Sequence, residues 1–164
     1  MKEDKSILDF NNCTPYECNT EAFKEGKIAA ENLRKYNPLY IYGPNGSGKS
    51  YLEKCIENTA FDNMTKNDNF SFKDGDLLYK DLIELFEDVD KAVESYSVQN
   101  LILIDPIDKV LESNVGENAI KVFNRLIENG TQIILTGVKK PKDIKCSSFM
   151  SFISKGKTIE LFNK

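Results

Sequence analysis

The sequence predicts an α/β fold in which helices cover both faces of a mostly parallel β-sheet. Short, nearly unbroken apolar runs, such as residues 101–105 and 132–137, are typical of strands that are buried on both faces. Between these runs, apolar residues recur at helical spacing. Strands that alternate with helices along the chain indicate parallel strands joined by crossover helices, and therefore a three-layer α/β architecture.

The size and composition of the chain favour a single domain. It has 164 residues, of which 40% are hydrophobic and 29% are charged, without an internal repeat or a linker-like segment. We expect one domain over residues 1–164, with residues 1–20 as an irregular N-terminal segment and residues 21–164 as the αβ core. The net charge of −4 gives no general attraction to nucleic acid. No apolar run approaches the roughly 20 residues of a membrane span and no signal peptide is recognisable, so we expect a cytoplasmic protein with no membrane partner.

The elements of the first half of the chain follow from local patterns. The predicted order is a helix over residues 19–36, a strand over 39–42, a loop over 43–48, a helix over 49–61 and a strand over 69–72. Asn19 or Thr20 is the candidate N-cap of the first helix, and Asn37-Pro38 ends that helix.

The second half continues the alternation. The predicted order is one helix over residues 76–96, a strand over 100–105, a helix over 116–130, a strand over 132–137 and a last strand over 157–162. The first of these helices is the most acidic stretch of the chain, and its apolar residues recur at helical spacing from Leu77 to Val89. Gly130 ends the second helix.

The cysteine pattern does not favour a metal centre. The chain has no histidine and no C-x-x-C pair, so a zinc site would need all of its cysteines or additional carboxylates. We therefore expect the four thiols to be reduced, as in a cytosolic protein, at Cys13, Cys18, Cys55 and Cys146.

Residues 43–50, "GPNGSGKS", fit the pattern G-x-x-x-x-G-K-[ST] of a phosphate-binding loop. Glycines let successive main-chain N–H groups point at phosphate oxygens, and the following helix directs its positive end to the same place. In such loops the lysine, here Lys49, reaches the β- and γ-phosphates, and the hydroxyl of Ser50 binds Mg²⁺. The loop therefore predicts binding of ATP or ADP with Mg²⁺; the alternative is a glycine-rich turn that binds nothing. The predicted nucleotide-binding residues of the loop are Gly43, Pro44, Asn45, Gly46, Ser47, Gly48, Lys49, Ser50 and Tyr51.

A second magnesium ligand is expected at the end of the apolar run "LILID". Asp105 ends this run, where it would hold Mg²⁺ through water and complete the site with Ser50. The alternative is that Asp105 caps a turn, since Pro106 follows it. Lys49 and Asp105 are the predicted catalytic residues.

Three stretches resemble the nucleotide-binding core of the DnaA-type AAA+ proteins, a family of bacterial replication initiators, their regulators and helicase loaders. These stretches are "FNNCTPYECNTEAFKEGKIAAENLRKYNPLYIYGPNGSGKSYL", "LILIDPIDKV" and "AIKVFNRLIENGTQIILTGVKKPKDI". The resemblance implies a P-loop NTPase (AAA+ RecA-like) core with five strands in the order 5-1-4-3-2. It also implies that adenine lies near residues 14–16, with Tyr16 as a binding residue, and that the protein assembles with other replication proteins.

The chain departs from the family pattern where hydrolysis is concerned. The family has a second acidic residue directly after the magnesium-binding aspartate, but this position is Pro106, and Asp108 is the nearest replacement. The sensor position falls on Thr136 or Gly137, so the resemblance makes Asp108 and Thr136 further catalytic candidates. The arginine-finger stretch is matched by residues 150–152, which contain no arginine. After the last strand, we expect neither the lid nor the DNA-binding domain of the family. These departures predict a nucleotide-binding regulator or adaptor in replication initiation with weak or no hydrolysis.

Three other functions remain open from the sequence. One is an active ATPase of the helicase-loader type that uses a partner's arginine finger; another is a scaffold that binds no nucleotide. A small-molecule kinase is disfavoured because the only arginines are Arg34 and Arg125. The expected partners are a replication initiator or a replicative helicase. DNA contact is expected mainly from the resemblance to the family, with the lysines of "GVKKPKDIK" as the local candidate; the alternative is that these lysines form a solvated loop. Self-association is left open.

Overall fold

The strands form one parallel sheet in the computed structural model, which describes residues 8–64 and 68–164. The strands are β1 (Leu39–Tyr42), β2 (Phe70–Asp74), β3 (Leu101–Asp105), β4 (Gln132–Gly137) and β5 (Lys157–Glu160). Their order across the sheet is β2-β3-β4-β1-β5, and all four pairings are parallel. The predicted order 5-1-4-3-2 is the same order counted from the other edge, so the prediction is confirmed.

Helices lie on both faces of this sheet. They are α1 (Thr20–Glu31), α2 (Lys49–Asn63), α3 (Tyr79–Phe86), α4 (Val89–Tyr96), α5 (Asp108–Leu111), α6 (Gly116–Glu128) and α7 (Phe149–Ile153). One apolar cluster contains residues of α1 and α2, and the other contains residues of α3 to α7. Every residue of β4 is buried, as expected for a central strand covered by helices on both faces. The predicted three-layer α/β class is confirmed.

The first helix differs from its prediction at both ends. It ends at Glu31, five residues before the predicted end at residue 36, and Arg34 follows with a positive φ of 73°. Asn19 occupies the N-cap position, but its side chain makes no capping hydrogen bond. Thr20 lies inside the helix, and its hydroxyl donates to the Glu17 carbonyl in the preceding 3-10 turn. The predicted N-cap position is therefore confirmed for Asn19 and wrong for Thr20, and neither side chain caps the helix.

The acidic helix predicted over residues 76–96 is in fact two helices, α3 and α4. Asp88 separates them, because its side chain accepts a hydrogen bond from the Lys91 N–H at 3.1 Å and starts a new helix. Leu77 lies before α3 and is 82% exposed, so it does not belong to the apolar face predicted for it.

Two short helices, α5 and α7, were missed. They have four and five residues, and periodicity cannot be recognised over little more than one turn. The buried rings of α7 nevertheless belong to the core: Phe149 lies edge-on to Tyr40 with ring centroids 5.0 Å apart, and Phe152 packs against Phe123 at 6.0 Å. Within the described part of the chain, no helix is long and apolar enough to cross a membrane.

Candidate functional site

The glycine-rich loop connects β1 to α2, in the strand–loop–helix context that the motif requires. Gly46 and Gly48 have φ of 85° and 94°, a region that favours glycine. Helix α2 begins at Lys49, directly after Gly48, so its unpaired N–H groups and its positive end face the loop. The local structure is therefore that of an anion-binding helix N-terminus.

Lys49 lies over the loop that precedes it. Its Nζ donates to the Gly43 carbonyl at 2.6 Å and contacts the Pro44 carbonyl at 3.4 Å. The loop is further closed by a hydrogen bond from the Ser47 N–H to the Pro44 carbonyl at 3.1 Å. The ammonium group is thus held at the mouth of the loop by two neutral carbonyl groups. An anionic phosphate would compete with these carbonyl groups for the ammonium group.

A cleft of about 1040 Å³ opens beside this loop at the carboxyl ends of the strands. Because parallel strands end at the same edge of the sheet, residues far apart in the sequence line it together. Its lining includes Tyr16, Asn45, Gly46, Gly48, Lys49, Ser50, Tyr51, Asp105, Pro106, Asp108 and Val138. A second cavity of about 300 Å³ adjoins it and is lined by residues 14–16 together with Asn19, Phe23, Ser47, Gly48 and Tyr51. The segment expected to hold adenine therefore borders a cavity that also reaches the loop.

Asp105 ends β3 and is oriented by the neighbouring strand. The Thr136 hydroxyl donates to Asp105 Oδ1 at 2.5 Å, and Thr136 is fully buried. The two residues meet because β3 and β4 are adjacent parallel strands. One carboxylate oxygen is thus held from inside the sheet, and Asp105 lines the cleft.

Glu53 is a buried acid beside Asp105 that the sequence interpretation missed. It is 5% exposed and lies near enough to Asp105 and Thr136 for both to affect its pKa, and its Oε1 is buried without a hydrogen-bond partner within residues 8–64 and 68–164. Burial, followed by the contact with Asp105, raises the pKa of Glu53 to about 9. The available signal was its spacing: Glu53 follows Lys49 by one helical turn and so shares the side of α2 that faces the loop.

Asp108 reaches the cleft but is bound to the chain after β4. Its Oδ2 accepts hydrogen bonds from the Val138 and Lys139 N–H groups at 2.9 and 3.3 Å. Its Oδ1 is buried without a partner in the described chain and lies against Gly137, where a β-carbon would come within 1.9 Å of it. Burial raises the pKa of Asp108, although the two N–H groups act in the opposite direction. A side chain at position 137 would therefore displace the Asp108 carboxylate and the Tyr40 hydroxyl.

The donor set of the cleft fits Mg²⁺. Ser50, exposed in the first turn of α2, and Asp105 both offer hard oxygen ligands to the same cleft. Among the described residues, no group of three or more acidic, cysteine or histidine side chains could hold a metal ion by itself. This arrangement suits Mg²⁺, which binds through one or two protein oxygens, water and substrate phosphates rather than in a closed protein cage.

Both arginines lie away from the cleft lining. Arg34 bonds the Gly130 carbonyl and the Gln132 side chain at the amino end of β4, and Arg125 forms an ion pair with Asp90 at 2.6 Å. On α7, Met150 is 52% exposed and Phe152 is buried in the core.

Of the lysines proposed for DNA contact, Lys139 is paired with Glu112 at 2.6 Å. The four cysteines are free thiols.

Comparison with known proteins gives consistent results. The family model of the bacterial DnaA ATPase domain matches residues 5–155. The chromosomal replication initiator protein DnaA of Spiroplasma citri is 30% identical over 141 residues, which cover 82% of this chain and 31% of that protein. The chain thus spans less than a third of the length of this relative.

Solved structures have the same fold. Domain III of the Thermotoga maritima replication initiation protein DnaA aligns with a TM-score of 0.81 at 23% identity, covering 95% of this chain and 67% of that one. The AMPPCP-bound DnaA of Aquifex aeolicus aligns with a TM-score of 0.77 at 23% identity, covering 95% and 50%. With its fold and phosphate loop in agreement with the family match over residues 5–155, this chain belongs to the family of bacterial DnaA ATPase domains.

Proposed function

We propose that this domain binds ATP or ADP with Mg²⁺ and acts as a nucleotide-dependent regulator or adaptor in replication initiation, with weak or no hydrolysis of its own. The observation that carries the proposal is that Asp105 lines one cleft of about 1040 Å³ together with five residues of the loop: Asn45, Gly46, Gly48, Lys49 and Ser50. This volume is sufficient for a nucleotide. The AMPPCP bound to the Aquifex aeolicus relative, a non-hydrolysable ATP analogue, supports the same ligand class.

The proposed binding mode uses main-chain groups first. The N–H groups of the loop and the N-terminus of α2 attract the phosphates, and Lys49 exchanges its carbonyl partners for phosphate oxygens. Ser50 and Asp105 would hold Mg²⁺, which supplies positive charge against the phosphates. The base would occupy the smaller cavity between Tyr16 and Tyr51.

Weak hydrolysis is supported by the surroundings of Asp105. Pro106 has no carboxylate to position water, Asp108 is held by two main-chain N–H groups, and Glu53 is buried with a raised pKa. None of the described residues that line the cleft is an arginine. An arginine that stabilises the transition state contributes about 10³- to 10⁵-fold to the rate in related phosphoryl transfers.

The first test is a titration of a fluorescent ATP analogue against the wild type and Lys49→Ala. We expect Lys49→Ala to weaken binding by about tenfold or more, since it removes a charge-assisted contact to phosphate. Lys54→Ala is the matched control, because Lys54 lies on the same helix and pairs with Glu57 at the surface. Equal binding by the wild type and Lys49→Ala would contradict the proposed site and favour a scaffold that binds no nucleotide.

The second test is steady-state phosphate release with ATP and Mg²⁺. We expect turnover below about one per minute for the purified protein, as in P-loop proteins that lack a transition-state arginine. Faster turnover by the domain alone would contradict weak hydrolysis. Strong stimulation by a replication initiator or a replicative helicase, with single-stranded DNA as a separate addition, would instead favour the helicase-loader alternative.

A further inference from the structure

We propose that Asn19 is a positioning residue that couples the phosphate loop to residues 161–164, the segment after β5, so that nucleotide occupancy changes the conformation of this segment. The inference rests on the nucleotide binding proposed above. It concerns a side chain that local sequence patterns assign to helix capping, a role that it does not perform in this structure.

The side-chain amide of Asn19 joins the loop to the segment directly. Its Nδ2 donates to the carbonyl groups of Ser47 and Phe162, both at 2.9 Å, and its Oδ1 accepts from the Phe162 N–H at 2.8 Å. Asn19 is 1% exposed. Because an unpaired buried amide is costly, these three hydrogen bonds hold the side chain in one orientation. Asn19 therefore bonds both main-chain polar groups of Phe162 and one carbonyl of the loop at the same time.

The segment also lies directly against the loop backbone. The Leu161 N–H donates to the Tyr42 carbonyl at 2.8 Å, which keeps the chain beside the start of the loop after β5 has ended. A β-carbon at Gly43 would lie 2.6 Å from the Leu161 carbonyl oxygen, and one at Gly46 would lie 3.7 Å from Asn163 Oδ1. A change in the conformation of the loop backbone would therefore alter its contacts with residues 161–163.

Asn19 also borders the cavity proposed for the base. It lines that cavity together with Ser47 and Tyr16, and the Lys164 Nζ lies 5.9 Å from the centroid of the Tyr16 ring. A ligand in this cavity and on the loop would therefore act on the segment at two points, with the Asn19 amide as the rigid connection between them. A contiguous set of hydrogen bonds of this kind is a physical route for coupling.

The test follows the amide resonances of ¹⁵N-labelled protein on addition of saturating ADP and Mg²⁺. In the wild type, we expect shifts both in the loop, residues 43–50, and in residues 161–164. In Asn19→Ala, we expect the loop to shift and the shifts of residues 161–164 to be lost. Affinity for ADP should fall by about fivefold or more, the lower range of measured couplings between sites. A purely structural role would lower stability without separating the two sets of shifts.

Two further variants keep the test decisive. Asn118→Ala is the matched control, because it removes another hydrogen bond of a side-chain amide, that to the Phe86 carbonyl. Phe86 belongs to the apolar cluster on the face of the sheet opposite to α2, so both sets of shifts should remain unchanged. Phe162→Pro removes the N–H that donates to Asn19 at a half-exposed position and should uncouple the segment even if Asn19→Ala fails to fold.

The outcomes separate this inference from the proposed function. Two outcomes overturn the coupling while nucleotide binding stands. In the first, the wild type binds ADP but the resonances of residues 161–164 do not shift. In the second, these resonances shift as much in Asn19→Ala and Phe162→Pro as they do in the wild type. If the wild type shows no shift in residues 43–50, nucleotide binding itself fails, and the coupling fails with it.

Discussion

Asp105, Thr136 and Glu53 form a continuous polar group beneath the cleft. The Thr136 hydroxyl donates to one oxygen of Asp105, and the buried carboxyl group of Glu53 lies near enough for both to affect its pKa. With a pKa of about 9, Glu53 carries its proton at neutral pH, so it adds no second negative charge beside Asp105. A single, oriented carboxylate is what an outer ligand of Mg²⁺ requires.

Replacing Thr136 by valine tests this orientation. Thr136→Val keeps the buried volume but removes the donor to Asp105, and we expect weaker Mg²⁺-dependent binding of nucleotide by about three- to tenfold, the equivalent of one hydrogen bond. Binding measured in EDTA should change little.

Thr131→Val is the control for that change. The Thr131 hydroxyl is also buried and donates to the Gln99 carbonyl, but it lies at the opposite end of β4. An equal loss of Mg²⁺-dependent binding in both variants, or an equal loss with and without Mg²⁺, would show that Thr136 acts through general stability.

At the scale of elements, the break between α3 and α4 shows how one side chain divides a periodic stretch. Residues 76–96 carry apolar residues at helical spacing, yet the Asp88 side chain accepts from the Lys91 N–H and starts α4. Both helices bury apolar residues in the same cluster, among them Leu82, Phe86 and Val93.

Removing this cap should destabilise the domain. We expect Asp88→Ala to lower the free energy of unfolding by about 1 kcal/mol, the usual effect of losing an N-cap. Asp88→Asn should retain most of the stability because asparagine caps equally well. Chemical denaturation measures both, and a loss in Asp88→Asn equal to that in Asp88→Ala would assign the effect to the charge of Asp88.

At the scale of the whole molecule, the parallel sheet brings the site together. The loop follows β1, Asp105 ends β3, and Thr136 lies in β4 between these two strands. Since all strands run the same way, their carboxyl ends share one edge, and the cleft opens there. The two apolar clusters on opposite faces keep this edge in place.

The phosphate loop, its helix and the apolar strands were predictable from the sequence because each depends on neighbouring residues. The phosphate loop is recognised by glycines at fixed offsets and by Lys49 at the start of a helix, and the strands are recognised by continuous apolar runs. The strand order was predictable only through the resemblance to a known family. The short helices α5 and α7 were missed because four or five residues carry too little periodicity.

The sequence by itself thus determined the fold class, the family and the phosphate loop. Only the tertiary structure decided what surrounds them: the burial of Glu53 against Asp105, the attachment of Asp108 to the chain after β4, and the contacts of Asn19 with Ser47 and Phe162. The physical reason is that these polar side chains are paired by groups 28 to 143 residues away. The packing of the layers determines which groups become hydrogen-bond partners, and the spacing of residues along the chain does not predict these partners.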